Sequence, residues 1–234
     1  MKNYLFIFLI SISYSTCLAQ PDPIRFFPER IDEITKELKK LNRVKDSTTY
    51  NALLWERVSK QVALRNSRRA FWETGYTKKS KHIINDLNYL IKQDIKIGEG
   101  YRQTTKLNFL QVRGSYHRAT TNYRKALLDY FQILENDLDS RFRDATYFDL
   151  SITYFKMDSI DLSIFYIDQI MEESANSCRN GSSIVNKKIK ILELSQRRAE
   201  LMLFYKELIS NSERLGWTEN VNCYTERLKD LEGR

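Results

Sequence analysis

Residue types that commonly carry catalysis or hold metals are sparse in this chain. Its 234 residues include two histidines, His82 and His117, and three cysteines. The histidines fall on separate predicted helices. Neither belongs to an H-x3-H or H-E-x-x-H pair, the spacings that put two ligands on one helix face. A zinc site is therefore not expected, and His117 reads as a packed core imidazole. "GEG" at 98–100 is too short to cradle a phosphate and reads as a helix stop. No P-loop, G-x-G-x-x-G or G-x-S-x-G occurs. Asp158 and Asp161 form an acidic pair, but at a predicted turn, where carboxylates cap helices and stay solvated. No constellation of nucleophile, base and oxyanion donor emerges. The expectation is a protein that is not an enzyme and needs no cofactor.

The cysteines divide by position. Cys17 lies in "MKNYLFIFLISISYSTCLAQ", where Lys2 supplies a basic start, Tyr4 to Ile12 an apolar run, and Cys17 and Ala19 small residues at −3 and −1 of a cleavage site. Residues 1–19 are thus expected to be a secretory signal, with a retained anchor or lipoprotein processing at Cys17 as the alternatives. The apolar run is short for a membrane span, so no transmembrane segment is expected after cleavage. Export would place the protein in the cell envelope or outside the cell, where Cys178 and Cys223 could form a disulfide or remain two small unpaired residues.

Composition points to helices. With 42% apolar residues, 12 Phe and 14 Tyr, a packed core is within reach; with 7 Gly and 3 Pro, tight turns must be few. That argues against an all-β fold. The formal charge is +8 and the pI is near 9.3. The basic residues are interleaved with 30 acidic ones, and "KELKK" (36–40) and "YTKKSKH" (76–82) are the only dense spots. This is the pattern of solvated helix faces, so nucleic acid is not an expected partner.

The elements that would position a site follow from periodicity. Residues 20–49 hold an amphipathic helix, with Ile31, Ile34, Leu38 and Leu41 at spacings of three and four, and a linker whose Ser47–Thr49 cluster offers a cap. Residues 50–234 read as a helical repeat domain. Its first helix runs from Tyr50 to Trp72 and ends at Gly75. The next turns Ile84, Leu87 and Ile91 inward. Helices then alternate with short polar connections over 102–117, 120–135, 143–157, 160–175, 185–195, 198–212 and 218–231. "SANSCRNGSS" (174–183) is the longest polar break.

One helical hairpin is written twice. Tyr147, Leu150, Ser151 and Tyr154, followed by Ser163 and Ile167, match Leu110, Arg113, Gly114 and His117, followed by Ala126 and Tyr130, at a constant offset of 37 residues. Small residues at Gly114, Ala126, Ser151 and Ser163 let paired helices approach closely, and the large ones fill the space around them. This pattern resembles the tetratricopeptide repeat family, most clearly over 107–136 and 144–173. Arg113 and His117 depart from it, and neither copy closes with Pro. Weaker copies are expected at 50–97 and 185–212, with "TENVNCYTERLKDLEGR" as a capping helix. The expected fold is all-α: antiparallel hairpins stacked as a tetratricopeptide-like solenoid, with an irregular helical bundle as the alternative.

The resemblance implies a binding surface. The layout also resembles the exported repeat region of bacterial envelope sensor regulators, without the transmembrane and output modules that follow there. In tetratricopeptide stacks the first helix of each hairpin lines a groove. That register assigns Phe148, Ile152 and Phe155, with Lys156 beside them, to a groove stripe, and Gln111, Ser115 and Arg118 to the preceding repeat. The implied partner is a protein or peptide. Alternatively, a neighbouring helix covers the stripe, or the chain associates with itself through its aromatic surface.

Overall fold

The computed structural model describes residues 27–66, 81–98, 103–137, 141–170, 178 and 184–233. The expected signal, Gly75 and most of "SANSCRNGSS" lie outside the described residues. Within them the chain is all-helical, with ten α-helices and one isolated antiparallel bridge, Ile97 to Thr104. Contacts divide it into two compact units, Met1–Phe109 and Leu110–Arg234.

The first unit holds α1 (Phe27–Lys40), α2 (Ser47–Asn66) and α3 (Lys81–Lys92). Helix α1 has Glu29 in its first turn and Lys39 and Lys40 in its last, both placed to favour the helix dipole. Its Ile31, Ile34 and Leu38 are buried as their spacing requires, and Ile31 packs with Leu64 of α2. Ser47–Thr49 form the first turn of α2 rather than its cap. Asp46 stands before them, and its carboxylate accepts the Asn42 N–H at 2.9 Å.

Helix α3 is rotated from the expected face. Ile83, Leu87 and Leu90 are fully buried, while Ile84 and Ile91 are half-buried. The reason is polar: Asp86 must also turn inward. Arg57 of α2 donates from Nε and Nη2 to the Asp86 carboxylate at 2.9 and 2.8 Å, and from Nη1 to Thr35 Oγ1 of α1 at 3.1 Å. One guanidinium thus joins three helices. Burial pushes the Asp86 carboxyl above its ordinary value, and the Arg57 bonds pull part of that back.

The second unit takes in most of α4 (Lys106–Ala119), then α5 (Tyr123–Asn136), α6 (Arg143–Lys156), α7 (Ile160–Asp168), α8 (Ile184–Leu194), α9 (Arg198–Arg214) and α10 (Thr218–Glu232). From α5 onward each helix packs on the next. Helix α4 meets α5 where Gly114 faces Tyr130.

The turns inside the three successive hairpins are the same object. Thr121, Asp158 and Gln196 hold the left-handed conformation, with φ of 61°, 59° and 58°. After each, Asn122, Ser159 and Arg197 return an N–H to the carbonyls of His117, Tyr154 and Leu192 at 2.8, 2.9 and 3.0 Å. The left-handed residues themselves bond Arg118, Phe155 and Glu193. This double return closes a helix C-terminus and sets the exit angle of the chain. Gly216 repeats it between α9 and α10, with φ of 72° and Trp217 N–H on Ser212 O. Glycine takes this conformation freely; a side chain there costs about 1 kcal/mol. Asp158 is therefore not the expected cap but the turn residue itself. Asp161 lies in the first turn of α7, where its charge suits the dipole.

Candidate functional site

Hairpins α4–α5, α6–α7 and α8–α9 superimpose in sequence at offsets of 37 and 38 residues. Their shared positions decide which side chains are scaffold. Leu110, Ala126, Tyr130, Leu150, Ser151, Ser163 and Ile167 are fully buried. Gly114 is buried, and a Cβ there would stand 2.6 Å from Cε1 of Tyr130, so only glycine fits beside that ring. In the second hairpin Ser151 and Ser163 occupy the close approach, and Ser163 Oγ donates to the Ser151 carbonyl at 2.9 Å. In the third, Ile189 and Leu201 stand there, both buried. The small residues give way to aliphatic packing.

A second position pair changes chemistry from hairpin to hairpin. Arg113 and Asp129 form a bidentate ion pair, with Arg113 Nη2 2.6 Å from Oδ1 and Nε 3.0 Å from Oδ2. The equivalent residues are Leu150 and Tyr166, then Lys188 and Phe204, where the ammonium lies 4.4 Å from the ring centroid. Tyr166 is also an aromatic hub: it stacks on Tyr154 and meets Tyr147, Phe131 and Phe165. Tyr147 and Tyr154 are accordingly half-buried. His117, the first hairpin's counterpart of Tyr154, is buried. Its Nδ1 has no hydrogen-bond partner among the described residues, and burial pushes its pKa below the usual imidazole value. His82 is exposed on α3.

The groove stripe lies partly open. Phe148, Ile152 and Phe155 of α6 are half-buried and Lys156 is exposed. Gln111, Ser115 and Arg118 of α4 are half-buried too. Arg118 is committed: its Nη1 donates to Asp149 Oδ1 at 2.6 Å and to the Asp149 carbonyl at 3.3 Å, tying α4 to α6. Burial raises the Asp149 carboxyl, with Arg118 opposing the shift. The equivalent tie between the second and third hairpins would join Phe155 to Lys187 of α8, where no such pair can form. Lys187 is half-buried, and burial, Lys190, Arg118 and Lys156 all lower its pKa.

One position on the second helices is apolar and exposed in all three hairpins. Leu128, Phe165 and Leu203 hold one repeat-equivalent position on the second helices, and they are 69%, 54% and 67% exposed.

Cys178 and Cys223 are joined by a disulfide that crosses 45 residues. Asn220 Oδ1 accepts the Cys178 N–H and Arg227 donates to the Cys178 carbonyl, so the bridge and two hydrogen bonds pin Cys178 to α10. Closing a loop of that length stabilises the fold by about 4 kcal/mol in the chain-entropy account. Beside it, α8, α9 and α10 enclose a cleft of about 680 Å³ lined by Glu193, Arg198, Tyr205, Arg227 and Asp230 among others. Two cations and two acids balance there, and Arg198 is spent on the Leu231 carbonyl at 2.6 Å.

Among the described residues no group of three or more His, Cys, Asp or Glu is placed to hold a metal, and no helix is long and apolar enough to cross a membrane. Residue patterns alone missed the pairs Arg57–Asp86, Arg113–Asp129 and Arg118–Asp149. For Arg113 the signal was present: carried forward by 37 residues, Arg113 and Asp129 become Leu150 and Tyr166 together. No protein-family model, curated protein or solved structure matches the chain.

Proposed function

We propose that this chain is an exported tetratricopeptide-like solenoid that binds a protein or peptide in the cell envelope. The observation that carries the reading is the recurrence of one turn at Thr121, Asp158 and Gln196. Hairpins exiting at one angle and packing in chain order stack in a line, and their first helices then share a face. On that face Phe148, Ile152 and Phe155 remain partly open, as a groove for an extended or helical ligand needs. Helix α10 caps the stack with its single fully buried residue, Tyr224, turned to the hairpin core. The leader-like residues 1–19 and the Cys178–Cys223 disulfide support export to an oxidising compartment.

The test is affinity capture from envelope extract of the source organism, with Phe148→Asp/Phe155→Asp as control bait. The reading expects a partner held by the wild-type chain and lost by the variant, with helicity and melting unchanged. A variant that unfolds would show that the two rings are core. Equal capture by both baits would remove the groove.

A second reading is self-association as a structural envelope protein. The exposed Leu128, Phe165 and Leu203, one on each hairpin at a shared repeat position, favour it, because exposed large apolar side chains are what an interface would cover. It expects a concentration-dependent mass in light scattering that Phe165→Glu abolishes; a strict monomer at high concentration excludes it.

A further inference from the structure

The junctions between first helices differ in charge. At the first, Arg118 of α4 is answered by Asp149 of α6. At the second, the matching positions hold Phe155 and Lys187, so in repeat register a cation takes the place of the acid and a ring the place of the guanidinium. Lys190, which takes the position of Ile152 and Ser115, adds a second cation on α8, and Lys156 a third at the end of α6. Lys156 and Lys190 are exposed, and Lys187 is half-buried. The charged groups that act on Lys187 are Lys190, Arg118 and Lys156, all of one sign. Asp149 offsets only one of these four cations, and it is already bidden by Arg118.

Gathering like charges around a half-buried lysine costs folding energy, and such a cost commonly marks a site where a ligand supplies the missing charge. In repeat register the cluster continues the apolar stripe, since Lys156 follows Phe155 on α6 and Lys190 on α8 takes the position of Ile152. A ligand on this face would therefore meet rings and ammonium groups side by side. We infer that the cluster of Lys156, Lys187 and Lys190 takes the side-chain carboxylates of an acidic peptide whose apolar residues rest on Phe148, Ile152 and Phe155. This rests on the groove reading above and names the chemistry of its ligand. A peptide fits better than a flat anionic surface, because the stripe asks for apolar side chains at intervals between the charges.

The experiment is fluorescence anisotropy of the full chain with two labelled synthetic peptides. One alternates Asp or Glu with Leu or Phe; the other replaces each acid by Asn or Gln. The wild type is expected to bind the acidic peptide at least tenfold more tightly, with the gap closing as salt is raised. Lys187→Gln/Lys190→Gln should close the gap at low salt and leave the weaker peptide unchanged. It should also melt no lower than wild type, because it removes repulsion. Should that variant fold poorly, Lys156→Gln/Lys190→Gln changes exposed groups alone and reads the same gap. Equal binding of both peptides by the wild type overturns the charge inference and leaves the groove reading standing. A charge gap that survives Phe148→Asp/Phe155→Asp undiminished, with both affinities unchanged, removes the groove instead. Binding to anionic phospholipid vesicles but to neither peptide, lost in the lysine variant, overturns the inference in favour of a lipid surface.

Discussion

Hairpins α4–α5 and α6–α7 turn through the same left-handed residue, yet they solve the same packing problem with different chemistry. The first brings its helices together by deleting a side chain at Gly114, against the Tyr130 ring. The second keeps two hydroxyls: Ser163 Oγ donates to the Ser151 backbone carbonyl at 2.9 Å, and the two hydroxyl oxygens share a hydrogen bond at 3.3 Å. At another position pair the first hairpin holds an ion pair, Arg113 with Asp129, where the second has a leucine and a tyrosine, Leu150 and Tyr166. What is kept is the geometry of the turn and the burial of the positions where paired helices approach. What varies is whether those positions and their neighbours hold charge, hydroxyl, aliphatic or ring. A comparison based on residue identity finds little in such a chain, while one based on position finds three hairpins.

The largest way to break the comparison is to leave half of the ion pair behind. Asp129 is only 5% exposed in its side chain. Arg113→Leu installs the second hairpin's residue alone and strands that carboxylate, at a cost of about 4 kcal/mol. A urea melt reads this directly. Leu150→Ala, which removes buried apolar volume with no charge left over, should cost about 3 kcal/mol. If Arg113→Leu instead costs under about 1 kcal/mol, the ion pair does not hold the hairpin. Next is the close approach. Gly114→Val drives branched carbons into the Tyr130 ring and should cost about 3 kcal/mol, whereas Ser151→Ala, in the equivalent place, should cost about 1 kcal/mol. Equal losses would mean that the two helix pairs approach alike.

The smallest effect sharpens the comparison through pH. His117 stands where the second hairpin has Tyr154, and burial, with Arg113 and Lys125 nearby, lowers its pKa against the pull of Asp129. The folded state then binds its proton less readily than the unfolded chain. Stability is full above the ordinary imidazole value of about 6.5 and falls as the pH drops below it toward the folded value. His117→Tyr cannot titrate there. The difference in melting temperature between variant and wild type should grow in the variant's favour between pH 7.5 and 5.5. A pH-independent difference would place His117 in contact with solvent.

Much of the helical order was legible from residues alone, and the reasons are physical. Few glycines and prolines left helices as the economical fold, and the spacing of Ile31, Ile34 and Leu38 named the buried face of α1. The chain turns at Thr121 and Asp158, between α4 and α5 and between α6 and α7, within a few residues of the short polar connections expected there. The face of α3 was misread by one position, because periodicity counts apolar residues and gives no weight to a buried acid such as Asp86. The same blindness hid Arg118: a cation at a groove position looks free until Asp149 of another helix is beside it. The disulfide was open in sequence, since spacing along the chain does not say that Cys178 lies against α10. The groove residues came from a family register; Phe148, Ile152 and Phe155 are half-buried and Lys156 is exposed.

The claim beneath all of this is positional equivalence between hairpins, and a transplant tests it most directly. Arg113→Leu/Asp129→Tyr moves the second hairpin's pair into the first. Equilibrium urea unfolding of the double variant, both single variants and the wild type closes a cycle. Equivalence predicts that the double variant recovers most of what Arg113→Leu loses, with a coupling of about 2 kcal/mol or more. Losses that simply add would show that Leu150 and Tyr166 are not the counterparts of Arg113 and Asp129, and the three hairpins would then be helices that share a turn and nothing deeper.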